Sequence, residues 1–155
     1  MNSIEDVERL FLHKVNPGIY LLKSNAMVAK ISSLSRIHKF NFFYIDGEDI
    51  RNEETFLKKA GEIFGFPDYY GRNWDAFEEC IKDFEWYPAE GYLILYDHFE
   101  AFAAYSPGEF KIALAIFGSA IKYWEEKNRI TFYVLLRGNG NIAPNLDVEN
   151  VSSVL

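Results

Sequence analysis

The sequence predicts a single α/β domain in which helices pack on a small parallel sheet, and three observations lead there. Short runs rich in branched and aromatic residues, at about residues 19–22, 41–45, 92–96 and 130–136, alternate with segments of helical periodicity. Because helical segments separate the runs, the strands must join through parallel crossovers, which are right-handed. The run from Tyr92 to Tyr96 is apolar throughout, as in a strand covered on both faces. With 155 residues, 49% apolar and 17% aromatic, one core suffices. A chain of this length buries about 68–70% of its unfolded surface.

Taken in order, residues 4–15 place Ile4, Val7, Leu10 and Phe11 at helical spacing, a short amphipathic helix or a partly ordered arm. Residues 19–22 form the first strand, and residues 25–37 a helix with Met27, Ile31, Leu34 and Ile37 on its inward stripe. The second strand, 41–45, ends at the Asp46-Gly47 turn signal. Asn52 caps a helix running to about residue 63, with Glu53 and Glu54 in its favourable first turn. Phe66-Pro67-Asp68 breaks the chain, and Asn73 starts an acidic helix reaching about residue 84. A third strand at 92–96, a long helix at 110–126 and a last strand at 130–136 complete the alternation. From residue 138 onward, Gly138-Asn139-Gly140-Asn141 and Pro144 predict a loop and a loosely attached tail.

Charge is distributed unevenly. Asp68, Asp75, Glu78, Glu79, Asp83, Glu85, Glu90, Asp97 and Glu100 stand against only Arg72 and Lys82 between residues 68 and 100. That stretch is net −7, the whole charge of the chain, and the remaining 122 residues are neutral. The natural partner of such a local patch is a basic surface. Direct nucleic-acid binding, which needs a basic footprint, is not expected. One cysteine, Cys80, allows neither an internal disulfide nor paired-cysteine zinc spacing, and His13, His38 and His98 are far apart, so no metal and no cofactor are expected. The N-terminus lacks the order of a secretion signal and no 18-residue apolar run occurs, so a cytoplasmic protein without membrane contact is expected.

Counting about 100° per residue from Trp74, the residues Trp74, Phe77, Cys80, Ile81 and Phe84 share one arc of the acidic helix. Asp75, Glu78, Glu79, Lys82 and Asp83 share the other. An ordinary solvated face is the plain explanation. Three features argue for a partner instead. The like charges Asp75 and Glu79 at i, i+4 destabilise a helix mildly, so stability does not explain them. Tyr69 and Tyr70 precede the helix, and tyrosine is enriched at interfaces. Gly71 admits a tight, left-handed turn that would aim a tyrosine. The partner-binding candidates are therefore Tyr69, Tyr70, Gly71, Asn73, Trp74, Asp75, Glu78, Glu79, Lys82 and Asp83.

Catalysis by Asp75 and Glu79 as a carboxylate pair is disfavoured, since both lie on one open helix face with no evident cleft. Cys80 points to the core, where thiols are inert. His98 follows a strand end, a common place for functional groups, while His13 and His38 are expected at the surface. The chain is not read as an enzyme.

The segment Tyr69-Tyr70-Gly71-x-Asn73-x-Asp75-Ala76-x-x-x-Cys80, preceded by Pro67 and by the Ile45-Asp46-Gly47 strand end, resembles the barstar family, inhibitors of the bacterial ribonuclease barnase. The resemblance covers about residues 42–137 in the family's order of elements. It leaves residues 1–40 as an N-terminal β-α extension, adding a fourth parallel strand at one sheet edge, and 138–155 as a tail. The resemblance implies a monomer when free that plugs a basic ribonuclease active site. The target would be a secreted or contact-delivered toxin, and the inhibitor an immunity protein. Tyr69, Gly71, Asn73, Trp74 and Asp75 then become contacts, with Glu79 at the family's key acidic position. The alternative is a regulatory module that docks another basic protein through the same face.

Several positions depart from the family pattern. Glu79 replaces the usual aspartate, Glu78 an aromatic contact, and Lys82 and Asp83 small residues. Ser119 and Tyr123 fall where barnase-binding members place supporting acids, with Glu125 and Glu126 nearby. These departures point to a nuclease other than barnase. The resemblance also marks Tyr87-Pro88 as a candidate cis bond.

Overall fold

A computed structural model describes residues 4–84, 88–138 and 153–154. The Tyr87-Pro88 bond lies outside the described residues. In chain order the elements are α1 (Glu5–Phe11), β1 (Gly18–Leu21), α2 (Val28–Ile37), β2 (Phe40–Asp46), α3 (Glu53–Phe64) and α4 (Trp74–Ile81). There follow β3 (Gly91–Asp97), α5 (Glu100–Tyr105), α6 (Pro107–Asn128), β4 (Thr131–Arg137) and β5 (Ser153–Val154). The strands form one sheet in the order β2-β3-β4-β1-β5, with every pairing parallel.

Alternation along the strands divides the core into two layers. Phe43, Ile45, Ile94, Tyr96, Phe132 and Val134 meet α3, α4, α5 and α6 on one face. Tyr20, Leu22, Leu93, Leu95, Tyr133 and Leu135 meet Val7, Leu10, Phe11 and Ile31 of α1 and α2 on the other. The N-terminal segment therefore does more than supply a strand beside β4. It covers most of one sheet face, leaving Phe42 and Tyr44 of β2 partly exposed, and the Tyr133 hydroxyl fastens it through the carbonyls of Leu10 and Val15.

Four expectations are corrected. The inward stripe of α2 is Ile31, Leu34 and Ser35; Met27, which precedes the helix start at Val28, is 73% exposed, and Ile37, on the outer face, is 70% exposed. The acidic helix stops at Ile81, so Asp83 and Phe84 lie past its end. The short helix α5, buried through Phe102, went unpredicted. Within the tail, Ser153–Val154 pairs with Tyr20 and Leu21 as a fifth strand, covering the outer edge of β1.

The register sets Asp46, Asp97 and Arg137 side by side at the carboxyl edge of the sheet. Asp97 receives Arg137 Nε at 2.6 Å and Nη2 at 2.9 Å, and the Tyr44 hydroxyl at 2.8 Å. Arg137 Nη1 donates to the carbonyls of Ser24 and Ala26 at 3.1 and 2.8 Å, pinning the turn between β1 and α2 to the ends of β3 and β4. Burial, then the hydrogen bond to Asp97, raises the Tyr44 pKa.

Candidate functional site

The segment before α4 is built on aromatic packing. Phe66 stacks on Phe64, and the Tyr70 ring meets Phe66 edge-on at 4.8 Å. The Tyr70 hydroxyl donates to the Leu57 carbonyl at 2.8 Å, and Gly61 leaves room for the ring, which a Cβ would approach to 2.8 Å. Tyr70 thus ties the loop to α3. Tyr69, its neighbour, is 65% exposed.

Arg72, not Gly71, takes the left-handed conformation, at φ 53°. Gly71 is needed for a different reason: a Cβ there would come within 3.0 Å of Asn73 Nδ2. Asn73 needs that space to hold its capping orientation, in which Oδ1 accepts from the Ala76 amide at 2.8 Å. At the other end, Trp124 Nε1 donates to the Ile81 carbonyl at 3.0 Å, satisfying a backbone group left open by the helix terminus.

Between these anchors, Phe77, Cys80 and Ile81 are buried, whereas Asp75 and Glu79 are exposed. Trp74 lies half-buried between the two arcs, its ring 5.7 Å from Phe56 and 6.1 Å from Phe77. Trp74→Ala is expected to lower the stability of the free protein by about 1–3 kcal/mol, a fraction of the cost at a fully buried site. Urea unfolding checks this, and an unchanged midpoint would separate Trp74 from the core.

Glu78 and Lys82 behave differently from the other charged candidates. Glu78 Oε2 accepts from Lys82 Nζ at 2.7 Å and from Ser119 Oγ of α6 at 3.1 Å. The Lys82 ammonium lies 5.7 Å from the centroid of the Tyr123 ring. The Lys82 hydrogen bond holds the Glu78 carboxyl below its ordinary pKa, with Ser119 adding to the effect. Protonation would break the pair, so this contact contributes above the ordinary carboxylate range and is lost as pH falls through the lowered value. Asp83, half-buried, follows the helix end.

Cys80 is sealed in the core, and burial pushes its thiol up to about 11, with Glu79 and Asp83 adding to the shift, so the nucleophilic thiolate is suppressed. His98 does have an acidic neighbour, Glu100, at 3.9 Å, and its backbone is left-handed at φ 55°. His38 stacks on Phe11 at 5.1 Å and is half-buried, where a surface position was expected. A cleft of about 530 Å³ lies at the carboxyl ends of β1, β3 and β4. Its polar floor is Asp97 and Arg137, whose charges neutralise each other. This pair leaves no local trace in the chain, because its members are 40 residues apart and meet only through strand register. Among the described residues, no helix is long and apolar enough to cross a membrane.

Fold and site together define a class: an α/β domain presenting an acidic helix that is held at both ends and charged on its outward face. The family described as "Barstar (barnase inhibitor)" matches residues 40–137, well over half of the sequence, and the chain belongs to that family. A Bacillus subtilis (strain 168) protein named "Putative ribonuclease inhibitor YrdF" is 46% identical over 37 residues, which are 24% of this chain and 41% of that protein. The chain thus matches less than half the length of this relative. In fold, the chain is similar to the Aeropyrum pernix ORC2 protein, solved in ADPNP-ADP complexes, with a TM-score of 0.52 and 15% identity over 96% of this chain and 44% of that one. At that identity the likeness concerns the fold alone.

Proposed function

We propose that the protein inhibits a ribonuclease toxin, secreted or delivered by contact, by seating α4 and the preceding loop in the enzyme's basic active site. Carboxylates of Asp75 and Glu79 take the places of RNA phosphates among the enzyme's cations, and the exposed ring of Tyr69 stacks in the same cleft. Asn73 and Trp74 border the contact, and Tyr70 and Gly71 shape the loop that carries it.

The observation that carries this reading is the division of labour on α4. Its apolar arc and its C-terminus are fixed to the body of the domain and its N-terminus is capped by Asn73, while Asp75 and Glu79 are exposed. Like charges one turn apart are mildly unfavourable in a free helix, and a cationic cleft turns that cost into affinity. Localised negative charge also speeds encounter with a basic partner, and added salt weakens the effect.

Co-expression with a panel of secreted and contact-delivered ribonucleases tests the proposal through cell survival. The expected result is rescue from at least one nuclease, lost in the Asp75→Ala, Glu79→Ala double variant. Failure to rescue from any of them by a folded protein would sink the inhibitor reading and favour a regulatory module that docks another basic protein.

A further inference from the structure

One flank of α4 is paired within the chain, with 40% of the Glu78 side chain and 26% of Lys82 left exposed. Glu78 and Lys82 cancel in charge, Ser119 adds a second hydrogen bond to the same carboxylate oxygen, and the Tyr123 ring lies within cation–π range of the ammonium. Asp75 and Glu79 stand outside this cluster. Their Cβ atoms are separated by the one-turn spacing of about 5–6 Å.

Resting on the docking reading above, we propose that Glu78, Lys82, Ser119 and Tyr123 form a neutral, self-paired shoulder that withholds Glu78 from the partner. Within α4 the docking charge is then the Asp75–Glu79 pair. The fitting target is a ribonuclease cleft that places two cationic groups one helical turn apart and an uncharged surface beside them.

Selectivity follows from the pairing. A nuclease with a third cation opposite Glu78 could engage it only by displacing Lys82, leaving an ammonium facing a cationic cleft. Such a like-charge clash discriminates against the wrong partner. Residues 78, 82, 119 and 123 are four of the six positions at which the chain departs from the barstar pattern, Glu79 and Asp83 being the other two. The structure makes the four one device, since each change supplies a contact to another.

Two measurements test this. In the free protein, the Glu78 carboxyl is titrated by carbon-13 NMR in the wild type, Lys82→Met and Ser119→Ala. It is expected to titrate below the ordinary glutamate value in the wild type and to move up in both variants, more in Lys82→Met. Identical titration in all three overturns the shoulder. The second measurement is binding kinetics with the ribonuclease recovered from the survival panel, or with barnase as a fixed probe. Glu79→Gln should speed dissociation at least about thirtyfold, as loss of a buried charge contact does. Glu78→Gln should instead slow association and alter its salt dependence, and Lys82→Met should speed association, as rim charges do. If Glu78→Gln speeds dissociation as Glu79→Gln does, Glu78 is a contact and the proposal falls. If no ribonuclease binds, the docking reading fails, while the titration still judges the shoulder on its own.

Discussion

Replacing either Asp75 or Glu79 by alanine is expected to weaken the complex with the target ribonuclease by about 2–5 kcal/mol while leaving the free protein folded. The magnitude is that of truncating one member of a buried, hydrogen-bonded charge pair, much of it the penalty of leaving the enzyme's cation unpaired. Stability of the free protein should hardly move, because among the described residues neither carboxylate has an ion-pair partner, and both are exposed. The two positions differ in a telling way. Asp75 sits in the first turn of α4, where the helix dipole favours an acid, so its loss costs a few tenths of a kcal/mol. Glu79 sits near the C-terminal end, where the dipole and Asp75 both oppose it, so Glu79→Ala should stabilise the free protein by roughly 0.2–0.5 kcal/mol. A residue whose removal strengthens the fold and weakens the complex is placed there for binding. Isothermal titration with the nuclease and urea unfolding of the free variants measure the two effects. Affinity unchanged in both variants would remove α4 from the interface.

What could be read from the sequence was local. Asn52 and Asn73 announce their helices because a cap lies within three residues of the amide it serves, and both caps are present. The facing of α4 followed from spacing alone, and Phe77, Cys80 and Ile81 are buried as the wheel requires. The i, i+4 spacing of Glu78 and Lys82 permits an ion pair without requiring one, and the pair is formed. Its third member, Ser119, is 41 residues away and leaves no local trace. For α5 the segment is too short to show a period, and β5 has only two residues. The exposure of Ile37 has a tertiary cause: the face turned to the sheet is the one that carries Ile31, Leu34 and Ser35, not the one with the most apolar residues. That α1 and α2 cover most of one sheet face was likewise hidden, because strands apolar on both sides do not say what covers them.

Arg137→Ala is expected to cost about 3–5 kcal/mol of folding stability, the range found when one member of a buried ion pair is removed. Domains are stable by only about 5–15 kcal/mol, so the variant should be close to unfolding. Asp97 is 7% exposed, and without Arg137 its carboxylate keeps only the Tyr44 hydroxyl among the bonds described here. The carbonyls of Ser24 and Ala26 lose their donor at the same time, so the turn that joins β1 to α2 is released together with the ion pair. Arg137→Lys should recover only part of the loss, because an ammonium cannot reproduce the two-pronged contact with Asp97 and reach both carbonyls. Pairing Asp97→Asn with Arg137→Met should cost less than Arg137→Ala alone, since it leaves no unpaired charge in the interior. Urea unfolding of the three variants orders these effects, and hydrogen exchange should show lost protection first in residues 22–28. A loss below about 1 kcal/mol in Arg137→Ala would reduce the pair to a surface contact. In that case α1 and α2 would be held to the sheet by apolar contact alone.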